Sequence, residues 1–219
     1  MPLLACPAVP IAGSSFLCVS VPLWFSLNGK KSKMELQHVN VKIFVDGELT
    51  VDMERFIETF HKWVAEQTMD GEMMIDVADY RHVPSGPGVV MVGLEADYSL
   101  DNTGGRRGLR YNRKGPVEGS NADRLRRAFA AAAGACRRLE EEYGDLKFSR
   151  REFELFINDR ALAPNTAETF ESAKPDLEAF LKESVGNDFT IEHNADLRRL
   201  FGATVRLEQP FDLASFATS

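Results

Sequence analysis

Two hydrophobic periods alternate along this chain. From residue 39, apolar residues fall at every second position: Val39, Val41, Ile43 and Val45, separated by Asn40, Lys42 and Phe44. A period of two puts successive side chains on opposite faces, which predicts a strand. Asp46-Gly47 predicts a tight turn. The spacing then changes to three and four. Phe56, Ile57, Phe60, Trp63 and Val64 form the apolar stripe of a helix, with Asp52 as N-cap and an end near Gly71. Met73, Ile75 and Val77 predict a second strand. Val90, Val92, Leu94 and Ala96 predict a third.

The same order returns later in the chain. Phe153, Leu155 and Ile157 predict a strand, and Asn165 an N-cap. A helical region follows to Gly186, interrupted or restarted at Pro175. Phe189 and Ile191, then Ala203, Val205 and Leu207, predict two more strands. The blocks also align residue by residue. "VKIFVDGEL" parallels "FELFINDRAL", with Phe44 against Phe156. "VGLEADYSL" parallels "VRLEQPFDL". The offset is constant to one residue, which reads as a duplication of half-domains and not a solenoid.

Residues 101–149 lie between the halves. "DYSLDNTGGRRGLRYN" predicts a hairpin turning at Gly104-Gly105, with Leu109 and Tyr111 on the return strand. Ser120 or Asn121 then caps a long helix whose stripe is Leu125, Phe129, Ala132, Cys136, Leu139 and Tyr143. The expected fold class is therefore α+β: two βαββ repeats, 34–100 and 150–213, form one or two antiparallel sheets with helices packed on one face. A hairpin and a long helix join them, and 214–219 is a tail. Phe44 and Phe156 both fall out of phase with the core. That predicts a second sheet face covered by the other repeat or by a second subunit.

Composition changes the picture at the N-terminus. Residues 1–33 contain no Asp or Glu and two of the three cysteines. The basic cluster Lys30, Lys31 and Lys33 follows the apolar run, the reverse of a signal peptide. Prolines, glycine and serines break the run that a membrane anchor needs. A start codon assigned too early, or a disordered extension, fits best; a signal or anchor, or a real arm, are the alternatives. The whole chain carries a net charge of −7, and from Met34 onward 23 basic residues face 33 acidic ones, a charge of −10. That surplus argues against nucleic acid and anionic membranes as partners. From Met34 onward Cys136 is the one cysteine, which fits a reducing cytoplasm.

Candidate chemistry is sparse. The chain has no phosphate-binding glycine loop, no G-x-S-x-G elbow, no C-x-x-C and no H-E-x-x-H. His82, in the proline- and glycine-rich loop 79–88, is a candidate acid/base with Asp79 as its orienting partner. Pro84, Pro87, Gly86 and Gly88 also fit a stiff hairpin, with the glycines at positive φ. Arg81, Arg110, Arg113, Lys114 and Asn121 are candidate anion-binding residues. They gather basic charge beside a helix N-terminus, whose free amides favour an anion. Pairing with the surplus acids is the competing use of those arginines. "HVNVKIFVDG" resembles the opening strand of the vicinal-oxygen-chelate metalloenzymes. That resemblance would make His38 a metal ligand, with Glu95 and Glu208 as carboxylates, although the equivalent of His38 in the second half is Arg150, which cannot ligate. His61 and His193 read as packing residues and Cys136 as core.

"HVNVKIFVDG", "DVADYRHVPSGPG", "YNRKG", "EGSNADRLR" and "FINDRALAPN" together resemble an uncharacterised bacterial protein family over 34–213. The resemblance implies a bacterial cytoplasmic setting and brings no activity or cofactor with it. The expected function is a non-catalytic binding or assembly module, working as a homo-oligomer with a small anionic ligand. The alternative is a small-molecule enzyme using His82 or a metal at His38.

Overall fold

The computed structural model describes residues 34–216. The extension expected over 1–33 and the last three residues of the tail lie outside the described residues. In chain order the elements are β1 (Val39–Val45), α1 (Met53–Glu66), β2 (Met74–Tyr80), β3 (Gly88–Gly93), β4 (Ala96–Asp101), β5 (Gly108–Arg113), α2 (Asn121–Glu142), β6 (Phe148–Ile157), α3 (Ala167–Val185), β7 (Phe189–His193) and β8 (Phe201–Leu207). The fold is α+β. All eight strands form one antiparallel sheet in the order β2-β3-β4-β5-β1-β6-β8-β7.

The alternation of β1 sets the two faces. Val41 lies opposite Tyr111 on β5 and Leu155 on β6, and all three point into the core under the helices. Phe56, Phe60 and Trp63 of α1 join that core. So do Leu125, Phe129, Ala132, Cys136 and Leu139 of α2, and Leu177, Phe180 and Leu181 of α3. Each large apolar side chain buried this way contributes about 1.5–3 kcal/mol. The alanines of α2 let it sit close over β1 and β5. Leu213 and Phe216 pack back onto the same core, with Phe216 4.3 Å from Phe129. Part of the expected tail is thus structural.

Helix caps follow local chemistry. The Asp52 carboxylate accepts from the Glu54 amide. Ser120 and Asp123 form a reciprocal capping box at α2. Asn121 does a different job there: it accepts from the Leu36 amide and donates to the Met34 carbonyl. Thr166, and not Asn165, caps α3. Asn165 is instead buried and donates to the carbonyls of Asn194 and Asp196. Helix α3 also runs through Pro175 without a break. Its packing through Ala173, Leu177 and Phe180 outweighs the lost amide at the proline.

The strands of the first half differ from expectation in phase and extent. The predicted third strand is two strands, β3 and β4, joined at Leu94-Glu95. Val89 and Met91 face the helices, while Leu94 is 62% exposed. "GVVMVG" is apolar at both parities, so its periodicity could not select a face. In β2, Met74 is buried and Met73 and Ile75 are exposed, next to an irregularity between Met74 and Asp76. The loop 80–88 takes positive φ at Ser85 and Gly88, not at Gly86. A side chain on Gly88 would collide with the Leu100 carbonyl.

Both halves show the order β-α-β-β, but their neighbours differ. β8 pairs directly with β6, whereas the β4–β5 hairpin separates β3 from β1. Phe44 and Phe156 share the helix-free face, here called the open face. Val92 faces that side while its sequence counterpart Val205 faces the helices.

Candidate functional site

The register of three central strands builds the site. On the open face Arg110 of β5 lies opposite Lys42 of β1, and Lys42 lies opposite Glu154 of β6. Ser99 extends this row on one side and Thr204 on the other. A run of alternating strands has therefore aligned two cations and a carboxylate on a face that no helix among the described residues covers. The loop 194–200 closes over one end. Arg160 holds it through the carbonyls of Leu197 and Arg198, and Asn165 through those of Asn194 and Asp196.

Between row and loop is a cavity of about 250 Å³, lined by Lys42, Asp101, Arg110, Glu154, Phe156 and the arginines 160, 198 and 199, with Thr103 and Leu200. Five cations and two carboxylates give it a positive surplus within an acidic protein. Gly202 permits its wall: a Cβ there would stand 2.6 Å from the Phe156 ring. That ring carries the Arg110 guanidinium 5.3 Å from its centroid and Arg199 at 5.6 Å. The out-of-phase aromatics are thus capped by cations. Phe44 likewise lies 3.6 Å beneath the Arg106 guanidinium. Both rings are buried, 3% and 6% exposed, and not the exposed aromatics that the strand phase predicts.

The charges in the cavity are unequally satisfied. Lys42 donates to Asp101 at 2.6 Å and to the Thr103 carbonyl at 3.1 Å, with both charged side chains 1% exposed. Burial pushes the Lys42 amine below its usual range, against the pull of Asp101. Asp101 also accepts from the Thr103 amide and hydroxyl. Arg198 is held by Asp196. Arg110 has no such partner: its guanidinium donates no hydrogen bond among the described residues, and its Nε is buried. Burial lowers its pKa, opposed by Asp101 and Glu154. Glu154, mostly buried and beside Lys42 and Arg110, has one ion pair among the described residues, with Arg199 at 3.8 Å. Two residues from Lys42 along β1, on the same face, both side-chain amide atoms of Asn40 are fully buried and unpartnered.

The neighbouring row on this face is the contrast. Arg106 and Arg206 both bind Glu152, and Arg206 also reaches Glu192 at 2.6 Å. Every charge there has its mate. The larger groove along α2, about 670 Å³, is also neutralised. Its floor holds Glu72, which accepts from Tyr98 and Tyr111, both at 2.7 Å. On its walls Arg126 binds Asp123 and Glu183, Arg137 pairs with Glu141, and Arg138 pairs with Asp70.

The sequence-based candidates are dispersed. Among the five anion candidates only Arg110 lines the cavity. Arg113 is buried on the helix side between Glu72 and Glu95. Lys114 binds Asp97 and the Gly93 carbonyl. Arg81 forks onto Asp79 and reaches Glu54. Asn121 is occupied by backbone contacts and by Asp176. Asp79 accepts hydrogen bonds from Arg81 and none from the His82 ring, and that bonding lowers its pKa to about 2. His82 is exposed, with its ring 6.3 Å from Tyr80. The metal alternative is not assembled. His38 precedes β1 and Glu208 follows β8 at the opposite end of the sheet, while Glu95 is engaged by Arg113. No group of three metal-ligating side chains occurs among the described residues.

No protein-family model matches the chain, and no curated protein matches it. The site therefore rests on its own geometry.

Sequence reasoning did not single out Lys42, Asp101, Glu154, Arg160 or Arg199. One signal was present: polar residues at the outward positions of strands whose inward positions are fully apolar. Their convergence depends on β1 lying between β5 and β6, which no local pattern encodes. Elsewhere, His193 stacks on Phe170 and bonds Asn165, as a packing residue should. Burial raises the Cys136 thiol well above its usual range, which removes it as a nucleophile.

Proposed function

We propose that the protein is a non-catalytic binding module that holds a small anionic ligand on the open face of its sheet. The observation that carries this reading is Arg110, which lines a cavity, has a buried and unpartnered Nε, and donates no side-chain hydrogen bond among the described residues. Buried polar groups are nearly always satisfied, so an unfilled donor fork in a cavity calls for an acceptor. A carboxylate or phosphate matches it in charge and geometry. The pinned loop and rigid strands fit a preformed site. The buried, unpaired thiol of Cys136 fits a reducing compartment. No helix among the described residues is long and apolar enough to cross a membrane.

Isothermal titration and thermal shifts with a panel of small carboxylates and phosphates test the reading. At least one anion should raise the melting temperature. Arg110→Met should weaken its binding by roughly 10- to 100-fold, as expected for a lost charged hydrogen bond. Equal binding by the variant, or no binding to the native chain, would refute it.

A second reading concerns assembly. Met73, Ile75, Tyr80, Val83 and Leu94 are exposed along or beside the edge strand β2, and they make up most of the large exposed apolar side chains. An open edge with such residues favours contact with a second copy across a two-fold axis. Sedimentation should show a dimer that Ile75→Lys converts to monomer. A native monomer at high micromolar concentration removes this reading.

A further inference from the structure

The cavity holds an unfilled acceptor as well as an unfilled donor. Arg110 and Glu154 stand on either side of Lys42, two strand spacings or roughly 10 Å apart between backbones. Lys42 does not bridge them, because its amine turns to Asp101 and Thr103. The Glu154 carboxylate accepts no hydrogen bond among the described residues, and the Arg199 guanidinium donates none. The adjacent row shows that strands of this sheet can saturate such charges, as Glu152 does with Arg106 and Arg206. Arg199 and Glu154 face each other at 3.8 Å without a hydrogen bond, so two guanidiniums and one carboxylate around a single small cavity keep hydrogen-bonding capacity to spare.

A simple anion would fill only half of that set. It would satisfy Arg110 and Arg199 but would bring a second negative charge beside Glu154, which disfavours it. A ligand with two carboxylates and one ammonium matches all three groups. Its charge of −1 also opposes the positive surplus of the lining. About 250 Å³ accommodates a metabolite of that size and not a nucleotide. Phe156 and Leu200 supply apolar contact for a short methylene chain.

We infer that the ligand is an acidic amino acid, its carboxylates held by Arg110 and Arg199 and its ammonium by Glu154. This rests on the anion-binding reading above and narrows it.

The test is calorimetric titration of the full chain with L-glutamate and with glutarate, which differs by lacking the ammonium. Glutamate should bind about tenfold tighter or more, the usual worth of a charge-assisted hydrogen bond. Glu154→Gln should close that gap, weakening glutamate and strengthening glutarate, which no longer meets a like charge. If glutarate binds native protein as tightly as glutamate, the amino-acid assignment fails while the anion site stands. If Glu154→Gln retains the full preference for glutamate, the ammonium is held elsewhere and the assignment fails. If neither compound nor any other anion binds the native chain, the anion-binding reading fails as well. The native comparison needs no variant, so a misfolded Glu154→Gln protein would still leave the first arm decisive.

Discussion

The two faces of one sheet solve opposite problems with the same strands. Toward the helices, Val41, Tyr111, Leu155 and their neighbours meet Phe129, Leu125 and Phe180 in a close-packed apolar layer. Toward the open side, the same strands carry Lys42, Arg110 and Glu154 at residue positions one step away. The first face gains from excluding water and is indifferent to direction. The second gains only where donors meet acceptors, so it shows plainly which groups lack a mate. Stability concentrates on one side, and unmet chemistry on the other.

The comparison can be broken most forcefully from the helix side. Phe129 touches the rings of Phe153, Phe211 and Phe216 and lies near Phe180. Phe129→Ala should cost about 4 kcal/mol in urea unfolding, from lost transfer energy and the cavity left behind. A loss under 1 kcal/mol would mean that the apolar layer is not the main source of stability.

The next effect belongs to the open side. Lys42→Met leaves Asp101 buried with only Thr103, and should destabilise by about 3 kcal/mol. The double change Lys42→Met with Asp101→Leu should recover most of that loss, because the penalty comes from an uncompensated charge. Equal loss in single and double variants would show that the pair is intrinsically stabilising.

A third test uses pH on the helix side. Burial, and then the charge of Glu72, raise the pKa of Tyr98 and Tyr111 above the ordinary 10.0. The folded state then binds more protons than the unfolded one above about pH 10. Their contribution is fully present below that pH and is lost as pH rises further. Both phenolate signals should appear in ultraviolet titration only together with loss of near-ultraviolet dichroism. Ionisation in the native state would contradict the buried network.

The smallest effect is expected at the loop that looks most functional in the sequence. His82→Ala should change stability by less than about 0.5 kcal/mol, since the ring is exposed. It should also leave anion binding unaltered. Altered binding would move the site away from the open face.

The loops 79–88 and 194–200 differ in what their sequence makes legible. Residues 79–88 drew attention through prolines, glycines and a histidine, and they form a stiff turn beside the edge strand. The loop between β7 and β8, 194–200, has plain chemistry by comparison. It nevertheless closes over the cavity, because Arg160 and Asn165 pin it there. Unusual composition marked backbone constraint, whereas the ligand-facing role came from position. Arg110 was legible as a candidate because positive charge is scarce in this chain. Its partners were not, since Glu154 lies 44 residues away in sequence and two strands away in space.

The sequence by itself determined the element types, the buried stripes of α1 and α2, the cap at Asp52, the α2 cap to within Ser120 or Asn121, and the inward faces of β1, β6 and β8. These follow from local periodicity and from side chains bonding to nearby amides. It left open the face of "GVVMVG", the continuity of α3 through Pro175, and the insertion of β4 and β5 between β3 and β1. Those depend on which surfaces bury best together, a property of the whole sheet. The cavity belongs to that second class: its charges are ordinary along the chain and become a site only because the register of β5, β1 and β6 sets them side by side without enough partners.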